Sequence, residues 1–103
     1  MEVLGDVDDF DPAFSALPKN SALRKDVQGV IDNLKNNVMP GKRIKYKQIP
    51  KYYIKRHDID NAYHIYLPEG MRLIYSITTY QDKETAFLME LTDHKSYERR
   101  FKY

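Results

Sequence analysis

The spacing of apolar residues predicts one long helix within the first forty residues. Apolar side chains recur there at intervals of three and four, which places them on one face of a helix: Leu23, Val27, Val30, Ile31, Leu34 and Val38. Asn20 or Ser21 can cap its start, because short polar side chains accept hydrogen bonds from the first free backbone amides. Pro40-Gly41 ends the predicted helix.

A short strand and a shorter helix are predicted ahead of it. Residues 1–4 fit a strand, and an acidic link follows them. Asp11-Pro12 then starts a helix of one or two turns that ends near Pro18, because aspartate is a good N-cap and proline suits the first turn. The two helices are expected to pack antiparallel.

After Gly41 the apolar period changes from 3.6 to two, which is typical of strands. The pattern predicts strands over residues 43–49, 62–67, 71–79 and 84–91, with turns at residues 68–70 and 81–83. A short closing helix is predicted over residues 94–101. Along the third of these strands Arg72 alternates with Leu73, so it projects from the face opposite the helix-packed core. The same alternation places His64 and Tyr66 on the face opposite Tyr63, Ile65 and Leu67.

These elements predict an α+β fold. Two N-terminal helices cover one face of a three- to four-stranded antiparallel sheet, a short helix ends the chain, and residues 1–103 make a single domain. The other face of the sheet is expected to be open and basic, and therefore a place to bind a ligand.

The amino-acid composition limits the kinds of site that the chain can form. Cysteine is absent, and three scattered histidines lack partners at metal-ligand spacing, so we expect no metal and no cofactor. No apolar stretch approaches the 18 or so residues of a membrane span, and the N-terminus has no secretory pattern. A soluble cytoplasmic protein without a membrane partner is the expectation.

The net charge of +2 hides an uneven distribution. Residues 1–41 carry seven acids and four bases, whereas residues 42–103 carry thirteen bases and eight acids. The sharpest concentration is residues 42–56, where seven bases occur with three tyrosines and no acid. That mixture suits a polyanion such as RNA, because lysines neutralise phosphates and aromatic rings stack on unpaired bases. The alternative is that this segment is an ordinary solvated strand and loop that binds no polyanion.

The C-terminal third resembles the RelE/ParE toxin superfamily. Met71-Arg72-Leu73-Ile74-Tyr75 is similar to the R-L-x-Y strand of that superfamily, and residues 91–98 are similar to its final strand and the basic and tyrosine cluster that follows. The similarity extends more loosely upstream to Leu17-Pro18-Lys19, to the long helix ending in Leu34 and to Gly41-Lys42.

The resemblance implies a toxin of a type II toxin–antitoxin pair. RelE-like members cut mRNA on the ribosome without a metal, through a general base, a general acid and cationic groups that stabilise the transition state. The implied partners are therefore a cognate antitoxin, mRNA and the ribosome. The alternative is a non-enzymatic relative, since ParE-like members share the fold but inhibit DNA gyrase, or a catalytically inactive relative.

The resemblance also assigns candidate roles. Arg72 matches the phosphate-binding arginine, and its alternative is a surface salt bridge. His94 is a candidate general acid or base, since imidazole exchanges protons near neutral pH, or else an exposed or capping residue. Tyr97 lies where the family positions a nucleotide, or it anchors the last helix to the core. Lys95 adds positive charge at the scissile phosphate, or is simply solvated. Tyr103 is a further aromatic candidate, since some relatives end in a functional aromatic residue, or it is simply part of a frayed end.

The sequence departs from the family on one strand. RelE-type nucleases carry two lysines there, at positions that match His64 and Tyr66. His64 in its neutral form is a possible base and Tyr66 a possible substrate contact, or the pair marks a branch without this cleavage activity. Lysines of the basic segment are the candidates to supply the missing charge: Lys45, Lys47 and Lys51. Together with Lys55 they are also the candidates to bind RNA.

Overall fold

Five strands form one mixed sheet in the order β1-β5-β4-β3-β2. The computed structural model describes residues 1–101 and bounds the strands as β1 Glu2–Gly5, β2 Lys42–Arg43, β3 Tyr63–Tyr66, β4 Arg72–Tyr80 and β5 Lys83–Thr92. The helices are α1 Asp11–Ser15, α2 Ala22–Lys35, α3 Lys51–His57 and α4 His94–Phe101, with 3-10 turns at Tyr46–Gln48 and Pro68–Gly70.

The predicted α+β class is confirmed, but the predicted arrangement is wrong in two respects. The sheet has five strands and is mixed. Strand β1 pairs in parallel with β5, whereas the other neighbouring strands pair antiparallel. Helices also pack against both faces of the sheet. An alternation of apolar residues shows that a strand forms, but carries no information on which neighbour it pairs with.

The first layer of the core lies between α2 and the sheet. Its apolar residues are Leu23, Val27, Val30 and Leu34 from α2, packed with Leu73, Tyr75 and Leu88 from the strands. Ser21 caps α2 by accepting a hydrogen bond from the Arg24 amide at 3.1 Å. The helix stops at Lys35, so the prediction that Val38 shares its buried stripe is wrong; Val38 is 53% exposed.

The second face of the sheet is covered as well. Residues of α3 and α4 pack there on strand residues, in a cluster formed by Ile44, Ile49, Tyr53, Ile59, Ala62, Ile74, Met89 and Tyr97. The expectation of an open face is therefore wrong. Leu73, Ile74 and Tyr75 are successive residues of β4 whose side chains point to opposite faces, and all three are fully buried, so the strand requires cover on both sides.

The strand predicted over residues 43–49 is also wrong. Only Lys42–Arg43 pairs with β3, and the chain then turns through Tyr46–Gln48 into α3. Ile44 and Ile49 are both buried, yet they lie five residues apart, which a two-residue period does not allow. Pro50 stands at the N-cap of α3, where its missing amide hydrogen costs no ladder hydrogen bond.

A bulge in β5 redirects one acidic side chain. Ile74 is opposite Glu90, but the next residue, Tyr75, is opposite Leu88, which leaves Met89 as the extra residue. A strict alternation would place Glu90 on the same face as Leu88. The bulge instead turns Glu90 toward α3 and α4, where its carboxylate has partners.

Candidate functional site

The Arg72 guanidinium is the centre of a cluster of polar and aromatic side chains. Nη2 of Arg72 lies 3.4 Å from Nδ1 of His94, and Nη1 donates to the Met71 carbonyl at 3.1 Å. The guanidinium stands 4.3 Å from the ring centre of Tyr66 and 5.5 Å from that of Tyr97. The structure thus brings together an arginine and a histidine that are 22 residues apart in sequence.

His64 adjoins the same cluster from β3. Its Nδ1 lies 2.9 Å from the Tyr97 hydroxyl, and its ring lies 5.1 Å from that of Tyr66. Burial, together with the positive charges of Lys42 and Arg72, lowers the pKa of His64 below its ordinary value of 6.5. The ring is therefore neutral at pH 7, which is the form that accepts a proton.

His94 is held by a residue of its own helix. The Nε2 atom of His94 lies 2.7 Å from Oε1 of Glu98, one helical turn further on. With Nε2–H donating to that carboxylate, Nδ1 is the ring nitrogen that faces Arg72. Glu98 was missed by sequence reasoning, although a spacing of four residues on a predicted helix is a usable signal.

The start of α4 fixes where His94 lies. The Asp93 carboxylate accepts a hydrogen bond from the Ser96 amide at 2.8 Å, as an N-cap does. That hydrogen bond lowers the pKa of Asp93 below its ordinary value. The His94 side chain therefore leaves the first residue of a capped helix, directly after the end of β5.

The two tyrosines of the cluster differ in exposure. Tyr97 is 4% exposed and its ring stacks on Phe101 at 4.4 Å, so it reaches the cluster through its hydroxyl. Tyr66 is 61% exposed, with the guanidinium of Arg72 against its ring. Tyr66 is therefore the more exposed of the two tyrosine rings at the cluster.

The predicted RNA-binding lysines are all exposed, but they are not all in one place. Lys47 and Lys51 line a cleft beside α4, whereas Lys45 and Lys55 are outside its lining. Lys95 is exposed on α4 next to His94. The basic segment is thus divided between the cleft and more distant surface.

One base of the segment is neutralised by the N-terminal acids. Arg56 lies 2.6 Å from Asp8, 3.4 Å from Asp6 and 3.7 Å from Asp9. Tyr52 donates a hydrogen bond to Asp9 as well. Burial would raise the pKa of Asp6, but two backbone amides and the Arg56 charge lower it overall. The acids therefore hold α3 against the chain after β1.

Two buried donors or acceptors lack partners within residues 1–101: Nε of Arg72 and Nε2 of His57. A buried polar atom without a hydrogen bond costs stability, and such atoms often mark functional sites. Arg72, which carries one of these two atoms, is the residue at the centre of the cluster.

Among residues 1–101, no group of three or more histidine, cysteine, aspartate or glutamate side chains is placed to hold a metal ion. Within the same residues, no helix is long and apolar enough to cross a membrane. The candidate Tyr103 lies outside the described residues.

Comparison with models of protein families, with curated proteins and with solved structures found no match to this chain. The site is therefore interpreted from its own geometry, together with the resemblance carried by the sequence.

Proposed function

We propose that this chain is the toxin of a type II toxin–antitoxin pair and an endoribonuclease that cleaves mRNA on the ribosome, in the cytoplasm. The observation that carries the nuclease proposal is the contact between Arg72 and His94, with neutral His64 in the same cluster. A cation for the phosphate and two imidazoles are the groups that this cleavage needs. The RelE/ParE resemblance supports the cellular role and the antitoxin partner.

In the proposed reaction the RNA 2′-oxygen attacks the adjacent phosphorus, and the bond from phosphorus to the 5′-oxygen breaks. His64 takes the 2′-hydroxyl proton, and protonated His94 gives a proton to the leaving 5′-oxygen. The products are a 2′,3′-cyclic phosphate and a 5′-hydroxyl. Arg72 donates hydrogen bonds to the phosphate oxygens as negative charge develops on them.

Neighbouring residues support these roles. His64 can use Nε2 as base when its Nδ1–H donates to the Tyr97 hydroxyl, so Tyr97 orients the ring for that role. The Glu98 carboxylate balances the charge of the His94 imidazolium through Nε2. Tyr66 stacks on a nucleobase at the exposed side, while Lys45, Lys47, Lys51, Lys55 and Lys95 attract the RNA backbone.

The test is induced expression in a bacterial host, followed by growth measurement and mapping of new mRNA 5′ ends by primer extension. We expect growth arrest and new ends inside translated codons for the natural chain, and neither for Arg72→Met. Arg43→Met is the matched control, because Arg43 also stands on a strand beside a tyrosine ring, 5.9 Å from Tyr63.

Growth arrest with a DNA damage response and no new mRNA ends would reject the nuclease. It would favour the alternative, a non-enzymatic inhibitor on the same fold that acts on gyrase or another target. Full toxicity of Arg72→Met would reject the assignment of this site.

A further inference from the structure

A cleft of about 1080 Å³ lies beside the Arg72 cluster, between the end of β5, the segment leading into α3 and the helix α4. Lys47, Lys51, Arg99 and Arg100 line it, against two acidic residues, Glu90 and Asp93. The α4 residues in its lining differ from those in the cluster. Ser96, Arg99 and Arg100 face the cleft, whereas His94, Tyr97 and Glu98 belong to the cluster.

The cations of the cleft are not equally available. Arg100 forms an ion pair with Glu90 at 3.0 Å, so these two charges cancel. Lys47, Lys51 and Arg99 have no carboxylate within 4.0 Å among residues 1–101, and Arg99 donates only to the Ser96 hydroxyl at 3.2 Å. Asp93 opposes them with one charge. The cleft therefore presents an excess of positive charge that the described residues do not neutralise.

The cleft and the Arg72 cluster are contiguous at the N-terminal end of α4. Met71 lines the cleft, and its carbonyl accepts the hydrogen bond from Arg72. Thr92 lines the cleft directly opposite Arg72 in the ladder between β4 and β5. A chain bound at Arg72 can therefore continue into the cleft without crossing the core.

We propose that the cleft binds the single-stranded RNA that flanks the cleaved phosphate, with Lys47, Lys51 and Arg99 contacting successive backbone phosphates. Pro50 and Phe101 line the same cleft and offer apolar surface to the bases. This inference rests on the proposed nuclease function: the Arg72 cluster holds the cleaved phosphate, and the cleft holds the RNA next to it.

The test measures binding of a fluorescent single-stranded 2′-O-methyl RNA, which lacks the attacking hydroxyl and is not cleaved. Fluorescence anisotropy at several salt concentrations gives the affinity and its salt dependence. We expect Lys47→Ala/Lys51→Ala and Arg99→Ala each to weaken binding about 5-fold or more at low salt. The slope of log affinity against log salt should fall by about 0.7 for each phosphate contact removed. Lys25→Ala/Lys35→Ala, on the exposed surface of α2, is the matched control and should change binding much less.

A variant that is expected to bind RNA more tightly controls for misfolding, because a misfolded chain would bind less. Asp93→Asn keeps an N-cap for α4 and removes the opposing charge, so RNA binding should become tighter. The proposal fails if the natural chain does not bind the RNA, or if the cleft variants match the Lys25 and Lys35 control. Binding of an acidic peptide but not RNA would overturn it in favour of a protein partner. Binding uses uncleavable RNA and cleavage is measured separately, so tight binding through the cleft without cleavage would reject the nuclease alone.

Discussion

The Tyr97 hydroxyl lies 2.9 Å from Nδ1 of His64, and this contact joins α4 to β3 across the second face of the sheet. It explains why a buried tyrosine belongs to a candidate catalytic cluster. The ring of Tyr97 fills the core beside Phe101, while its oxygen contacts Nδ1 of His64 and so fixes the orientation of that ring. Tyr97 is thus a positioning residue for His64.

Tyr97→Phe should therefore lower the rate of RNA cleavage more than it lowers RNA affinity. The variant keeps the packed ring and removes only the oxygen that orients His64, so we expect kcat to fall about tenfold with KM nearly unchanged. Unfolding should become easier by only about 1 kcal/mol, as for the loss of one hydrogen bond. Steady-state kinetics and urea unfolding measure the two effects. A change confined to KM would mean that Tyr97 contacts the nucleotide instead.

The pKa of His64 should rise when a neighbouring positive charge is removed. Burial lowers it most, and Lys42 and Arg72 lower it further. Lys42→Gln should move it back toward 6.5, and NMR titration of the imidazole protons measures that shift without any assay of activity. The acid limb of the cleavage rate should move to higher pH in the same variant. Lys25→Gln, distant on α2, is the control. An unchanged titration would show that Lys42 does not act on His64.

Arg72→Met should separate activity from stability. The variant removes the guanidinium proposed to stabilise the phosphate, so cleavage should fall about 10²- to 10³-fold. It also removes the buried Nε that has no partner within residues 1–101, which offsets the lost contacts with Tyr66 and His94. The free energy of unfolding should therefore change by less than about 1 kcal/mol. Denaturant unfolding together with a cleavage assay tests both parts, and a large loss of stability would show that Arg72 is mainly structural.

Much of the fold could be predicted from local pattern. The long helix was found from its repeat of three and four, and the β3, β4 and β5 segments from alternation. The helix α3 was missed, because Tyr52, Tyr53 and Ile54 are residues that favour strands while tertiary packing decides their conformation. Tyr53 is fully buried, and its packing in the core stabilises the helix.

The candidate site was predicted only in part, for a related reason. Alternation placed His64 and Tyr66 on one face of their strand, because side chains two residues apart share a face, but the register that brings Tyr66 opposite Arg72 could not be read from it. The partners that orient them depend on contacts between distant segments, such as Tyr97 with His64. The pairing of Arg56 with the N-terminal acids could not be read from the basic run either, since its partners lie 47 or more residues away.

Stability should fall as the pH is lowered from 7 to 5. Burial lowers the pKa of His57 and of His64 below 6.5, so the folded chain binds these protons less readily than the unfolded chain. The stability that the neutral rings contribute is present above pH 6.5 and is lost as the pH falls through 6.5 toward the lowered values. Asp6, whose pKa is lowered from 3.8, also stabilises the folded chain, but that contribution is lost only as the pH falls below 3.8, so it does not change between pH 7 and 5. Urea unfolding at a series of pH values measures the loss. His57→Gln/His64→Gln should flatten the dependence between pH 7 and 5, and an unchanged dependence would place its origin elsewhere.

Glu90 should be the polar residue on which the docking of α4 most depends. Tyr53 donates to its carboxylate at 2.5 Å, and Arg100 donates to both of its oxygens at 3.2 and 3.0 Å. Burial and the neighbouring carboxylate raise the pKa of Tyr53, which keeps the phenol protonated as a donor to Glu90. Removing Glu90 leaves a buried hydroxyl and a guanidinium without their acceptor.

Glu90→Ala should therefore destabilise the chain by about 3 kcal/mol, near the lower end for a broken buried pair because Arg100 keeps partial contact with water. Tyr53→Phe removes one donor and should cost about 1 kcal/mol. Because Arg100 belongs to α4, hydrogen exchange in that helix should rise in Glu90→Ala before the rest of the chain unfolds. Exchange that rises equally in α2 would show global destabilisation instead, and would contradict a specific role of Glu90 in holding His94 and Tyr97 at the site.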